Sequence, residues 1–159
     1  MTAPARPKRL FSRLLLLLLI AGTAYAAMRL GFLPQRLSPF PPISLEERPE
    51  WFLDTRLAAL RRDRPLCEAV LKGPYIDAAS IPDSPFKNGC GWQNAVRFQT
   101  VGGARLGADR MTCEMAAALA LWVEHDVQPL AQSLLGERVT SIGDMGTYDC
   151  RNILGNAML

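Results

Sequence analysis

An α+β domain behind a single apolar N-terminal helix is the architecture this sequence predicts, and three observations predict it. An uninterrupted apolar run, "LLLLLLIAGTAYAAM" (Leu14 to Met28), follows a basic end. After residue 50, helical and strand periodicities mix without a regular βαβ repeat. Four cysteines, Cys67, Cys90, Cys113 and Cys150, lie beyond the apolar run. With 159 residues, 49% of them hydrophobic, the chain has room for one small domain and little else.

The basic end comes first. Arg6, Lys8, Arg9 and Arg13 precede the apolar core, and no acidic residue occurs before Glu46. A positive segment followed by an apolar core is an export signal, its positive end held on the cytoplasmic side. "AYA" (Ala24 to Ala26) fits the small-x-small cleavage rule, so a cleaved signal is the alternative. The apolar character resumes after Arg29 with Leu30, Gly31, Phe32 and Leu33, and a snorkelling Arg29 extends the run to about 20 residues, the length of a membrane span. The sequence therefore predicts residues 1–33 as a cytoplasmic basic end and a single-pass anchor. Leu14 to Leu33 would cross the inner membrane and the domain would lie in the periplasm. From Glu46 onward 15 acidic residues face 12 basic ones, a net of −3, so the formal net charge of +3 is owed to the six basic residues before Glu46. A mildly acidic domain without a basic stripe leaves nucleic-acid binding no electrostatic footing.

Residues 34–50, "PQRLSPFPPISLEERPE", are proline-rich and read as a stiff, extended tether to a domain over 51–159. In "WFLDTRLAAL", Phe52, Leu53, Leu57 and Leu60 recur at helical spacing. Asp63 is placed to cap a second short helix with Pro65 in its first turn, ended by Gly73-Pro74 and carrying Cys67 on one face with Val70 and Leu71. Tyr75 to Gln93 reads as loop. "NAVRFQTV" alternates Val96 and Phe98 against Arg97 and Gln99, a half-buried strand. Gly102-Gly103 turns it into the short partner "ARLG". Asp109 reads as the N-cap of the longest helix, "RMTCEMAAALALWVEHDV". On that helix Met111, Met115, Leu119 and Trp122 form the predicted core stripe, broadened by Cys113, Ala117, Ala120 and Val123. Pro129 breaks or kinks it, "PLAQSLLG" adds turns ending at Gly136, and "VTSI" and "TYDCR" read as strands.

An even cysteine count beyond an export signal reads as two disulfides in an oxidising compartment, with three connectivities open. There is no C-x-x-C spacing and only one histidine, His125, so the cysteines are not read as a metal site. His125 lies between Glu124 and Asp126 near a helix end and reads as a solvated surface residue. Asp149, Cys150, Arg151 and Asn152 form the polar cluster of the C-terminal part. Two readings stand side by side there: an ordinary strand end, or an Arg that holds a carboxylate bidentately.

The stretch "CGWQNAVRF", then "MTCEMAAALALWVEHDVQPLAQSLLG", then "GTYDCRN" resembles the bacterial extensin-like C-terminal domain family. The match runs from about Cys67 to Asn152 and includes all four cysteines, Cys90-Gly91, Met111-Thr112-Cys113, Trp122, Gln128-Pro129, Gly136 and Tyr148-x-Cys150-Arg151. The family in turn looks like the zinc D-alanyl-D-alanine peptidases of cell-wall peptides. In those, the strand carrying the Arg is followed by Ser-x-His and an Asp that bind the metal, with a further acidic base and a histidine later. The resemblance implies that Arg151, with Tyr148 beside it, faces substrate, and it suggests Cys113–Cys150 and Cys67–Cys90 as the disulfides. After Arg151 only "NILGNAML" remains, so the metal ligands and catalytic base have no counterpart and His125 matches none of them. The expectation is a domain truncated before its metal-binding motif. It would be catalytically incomplete as given, without metal or cofactor, associated with the cell envelope and with peptidoglycan as a candidate contact. The alternative is an N-terminal fragment of a zinc-dependent hydrolase of wall peptides, with zinc only in a longer chain. The 159-residue protein is accordingly expected to release no D-alanine from a D-alanyl-D-alanine peptide, with or without added zinc; zinc-dependent release, followed chromatographically, would overturn this.

Overall fold

The computed structural model describes residues 7–32, 37–48, 51–87, 90–107 and 110–143. The chain begins with α1 (Pro7–Arg29), whose residues Phe11 to Ala26 are exposed on every side. The helix stops at Arg29, before the end of the expected span, because the chain turns at Gly31. There φ is +70° and the backbone runs so close to α2 that a Cβ would sit 2.3 Å from the Ala58 carbonyl oxygen, a position open to glycine alone. Leu33 lies outside the described residues.

In the second half of the proline-rich stretch, expected to be a tether, Ile43 and Leu45 are buried in the core at 4% and 3% exposure. Residues 43–45 therefore belong to the packed unit. Two short helices follow, α2 (Leu53–Ala59) and α3 (Arg64–Val70). Asp63 caps α3 as its sequence position requires, accepting from the Leu66 amide at 3.0 Å, with Pro65 in the first turn.

The stretch expected to be loop contains three strands: β1 (Ile76–Ser80), β2 (Ser84–Lys87) and β3 (Cys90–Trp92). β1 pairs antiparallel with β4 (Ala95–Val101) from Ile76↔Val101 to Ser80↔Val96. β4 is the centre of the sheet and buries Val96, Phe98 and Val101, the alternation anticipated for it. Gly102 and Gly103, both at positive φ, form the two-residue turn into β5 (Ala104–Leu106). β6 (Met111–Thr112) pairs with the other end of β4, and β7 (Ser141–Ile142) adds to β5 in parallel. β2 and β3 form a separate antiparallel pair. Helices and a mixed sheet make the fold α+β.

The long helix begins later than expected. Met111 and Thr112 are strand, and Thr112 is the N-cap, accepting from the Met115 amide; Asp109 lies outside the described residues. α4 (Cys113–Trp122) passes into a wider π turn (Val123–Val127) and then α5 (Gln128–Leu135) without a break. Pro129 neither ends nor splits the helix. A proline ring clashes with the carbonyl four residues back, and the widened turn just before it moves that carbonyl away.

The core stripe expected on α4 is corrected in part: Met111, Cys113, Ala117, Ala120 and Val123 are buried as expected. Met115 and Trp122 are more than half exposed, and the face that packs inward is Cys113, Ala116, Ala117, Ala120 and Leu121. Small residues face in because α4 lies close against α2, α3 and β4. Cys113 is bonded to Cys67 on α3, with the two Cα atoms 6.1 Å apart. The pairings suggested by resemblance, Cys113–Cys150 and Cys67–Cys90, are thereby overturned, since each sulfur forms one such bond. This bridge closes a sequence separation of 46 residues, which constrains the unfolded chain by about 4 kcal/mol on loop entropy. Replacing both residues, Cys67→Ala with Cys113→Ala, is expected to lower unfolding free energy by about that amount, read from urea midpoints. Peptide mapping without reductant should recover Cys67 and Cys113 in one linked peptide.

Candidate functional site

Tyr148, Cys150 and Arg151, with Asp149 and Asn152, lie outside the described residues. Cys90 is disulfide-bonded. The residues the structure does place form three polar junctions and a latch between α1 and the domain.

The first junction is a corner where β2, β3 and β4 meet α3. Asn94 sits at φ 49°, just before β4, and is 2% exposed. Its amide donates to Asp83 Oδ1 at 2.8 Å, its Nδ2 donates to the Leu60 carbonyl at 2.6 Å, and its carbonyl accepts from the Cys113 amide at 2.9 Å. Asp83 also takes the Arg64 guanidinium, whose other nitrogen donates to the Ile81 carbonyl at 3.0 Å. Trp92 Nε1 donates to Pro82 O at 3.0 Å while the Arg110 guanidinium lies 4.8 Å over its ring. Through one side-chain bond and two backbone bonds, Asn94 thus ties the end of α2, the residue before β2 and the start of α4 to β4. Sequence reasoning placed Asn94 only as the first letter of a strand; its left-handed backbone, tolerated by Asn, was the available signal.

The second junction is Gln128, 1% exposed in the first turn of α5. Nε2 donates to the Gly102 carbonyl at 2.8 Å and to the Val139 carbonyl at 2.9 Å, and Oε1 accepts from the Val139 amide at 2.8 Å. Every polar atom of the side chain is paired, as burial demands. The amide imitates a strand edge for Val139, so that the Thr140 carbonyl meets the Arg105 amide at 3.0 Å and β7 enters register beside β5. Arg138 completes the junction through Glu124 at 2.9 Å.

The third junction links helices. Arg61 makes a two-pronged ion pair with Glu114 at 2.7 and 2.8 Å. That hydrogen bonding holds the guanidinium above its ordinary pKa despite partial burial.

His125, read as a solvated surface residue, is half-buried instead. Its Nε2 lies 3.0 Å from the Leu45 carbonyl and its ring meets Tyr75 edge-on at 6.4 Å. It straps residues 43–45 to the π turn. Among the described residues no group of three or more His, Cys, Asp and Glu side chains converges to hold a metal ion.

The latch lies at the exit of α1. Arg29 Nη1 pairs with Asp54 Oδ2 at 2.7 Å, at the start of α2. At the other end of α2, the Arg62 guanidinium stacks 3.7 Å over the Phe32 ring. Phe52 stacks on Phe40 with centroids 4.4 Å apart.

A family model described as "Extensin-like protein C-terminus" matches residues 65–158. No curated protein and no solved structure matches the chain.

The substitution Gln128→Leu is expected to cost about 2 kcal/mol, because it removes three hydrogen bonds and leaves the part-buried Val139 amide and carbonyl without the partner Gln128 supplies. It should also release β7, seen as faster hydrogen exchange at the Arg105 amide.

Proposed function

The chain belongs to the extensin-like protein C-terminus family, and from that membership and the geometry of α1 we propose a single-pass membrane protein that presents this domain on the periplasmic side of the cell envelope. The observation that carries the reading is α1 itself. Phe11–Arg29 is long and apolar enough to cross a membrane, and its residues Phe11 to Ala26 are exposed all round. A helical stretch that is apolar and exposed on every side, as Phe11 to Ala26 is, is stable in hydrocarbon and costly in water. The basic residues before it favour a cytoplasmic N-terminus, which puts the domain outside.

The domain works by binding in this reading, and peptidoglycan is the surface it faces. The chain's single histidine spends its ring on the Leu45 carbonyl. The described polar side chains that converge, Asn94, Asp83, Gln128 and Glu114, hold protein groups and supply no free base beside a nucleophile. The reading assigns no cofactor to these 159 residues. Arg151 and Tyr148 are the proposed contact residues, with the Arg holding a peptide carboxylate through charge-assisted hydrogen bonds.

Two outcomes are expected. The protein should stay with the membrane through alkaline carbonate washing, and protease should digest its domain once the outer membrane is permeabilised; recovery in the soluble fraction would overturn the anchored reading. Cosedimentation with purified peptidoglycan should weaken about tenfold in Arg151→Ala, and unchanged sedimentation would remove Arg151 from the contact.

A further inference from the structure

The exit of α1 carries more than an anchor requires. α2 touches it at both ends. Its first turn is held by Arg29–Asp54 at 2.7 Å, and its last turn lies under the chain reversal at Gly31, where Ala58 O meets the glycine backbone. Arg62, two residues past the α2 C-cap, stacks on Phe32. A seven-residue helix is about 10 Å long. With both ends in contact with the last turn of α1 or the residues after it, α2 packs at the exit of α1.

At that exit the surface is aromatic and apolar. Trp51 is 73% exposed, three residues before Asp54, and Phe52 beside it is 53% exposed while stacked on Phe40. Leu30 and Phe32, next along the chain from Arg29, are 51% and 58% exposed. Their neighbours are cationic: Arg29, Arg62, and Arg56, which donates to the carbonyls of Pro41 and Pro42. Trp and other amphipathic aromatic rings with Arg side chains are the groups that settle at the headgroup level of a bilayer.

We propose that this α2 corner is a lipid-docking surface: Trp51, Phe52, Leu30 and Phe32 sit in the interfacial layer of the bilayer that α1 enters, with Arg62 toward the lipid phosphates. The proposal rests on the anchored reading of α1 and deepens it. The occupant is a phospholipid surface because the patch is continuous with α1 and lies at the end of its apolar stretch. The domain then lies against the membrane through α2 and does not hang from a free tether.

The test uses the full chain in phosphatidylcholine and phosphatidylglycerol vesicles whose acyl chains carry bromine either near the headgroup or near the bilayer centre. Bromine quenches tryptophan emission on contact. Shallow bromine is expected to quench the wild-type protein, and Trp51→Phe is expected to lose most of that quenching, since the exposed ring can be exchanged without disturbing the core. A second variant, Leu17→Trp, reports on α1, and its added emission should be quenched by deep bromine. If Leu17→Trp is quenched while Trp51→Phe changes nothing, the anchor stands and the docking surface is overturned. If Leu17→Trp is not quenched by either lipid, the anchored reading fails and takes the docking surface with it.

Discussion

The covalent bond between Cys67 and Cys113 is the constraint on which the packing of this domain turns. Cys113 is the first residue of α4 and Cys67 lies mid-way along α3, so the bond fixes where the long helix starts against the helical pair. The neighbouring interactions reinforce the same placement. Arg61 holds Glu114 one residue along, and Asn94 joins the Leu60 carbonyl to the Cys113 amide through its own side chain and backbone. Once α4 is held this closely, its inward face has to be small. Ala116, Ala117 and Ala120 meet that demand, and the larger Met115 and Trp122 are turned outward.

This explains why some of the fold was legible in the residues and some was not. Local rules sufficed where the signal is local. Asp63 with Pro65 marks a helix start, Gly102-Gly103 marks a tight turn, and Val96 and Phe98 mark the buried side of β4. The apolar run of α1 was equally plain. Rules of period failed where the answer depends on a partner. α4 carries one stripe of large residues and another of small ones at the same spacing, and periodicity cannot say which faces a neighbour that crowds it. β1, "IDAAS", has the small and polar composition of a loop and becomes a strand by pairing with β4. Met111 and Thr112 continue the helical pattern yet pair with β4. Cysteine spacing fixes no connectivity, and neither resemblance-based pair was right. Of the candidate site, Tyr148 and Arg151 were named from a motif and lie outside the described residues, while Asn94, the first letter of a strand, and Gln128, named only within the Gln128-Pro129 motif, organise the polar interior.

The packed unit also reaches further toward the N-terminus than the family match does. The match starts at residue 65, within α3. Leu57 from α2, Leu60 at its C-cap, and Ile43 and Leu45 from the stretch before it complete the same core, with His125 fastening the Leu45 backbone. Gly31 and the Arg29–Asp54 pair then bring α1 against α2. The end of α1 and residues 43–45 therefore pack with the domain, and the steric demand at Gly31 is as much a part of that packing as any buried leucine.

The order of the cysteines along the chain has a consequence for biogenesis. The ribosome delivers Cys67 first, then Cys90, and Cys113 only later, yet the bond that forms skips the middle residue. Joining Cys67 to Cys90 closes a loop about half as long, which chain entropy favours by about 0.6 kcal/mol while the polypeptide is still unfolded. The unfolded chain and the folded one thus prefer different partners for the same sulfur. What decides between them is the docking of α4 onto β4, which is complete only when residues beyond 120 have emerged. Where the consecutive pair forms first, reaching the native bond from it requires thiol–disulfide exchange, in which the Cys113 thiolate attacks Cys67 and releases Cys90 as the leaving thiolate.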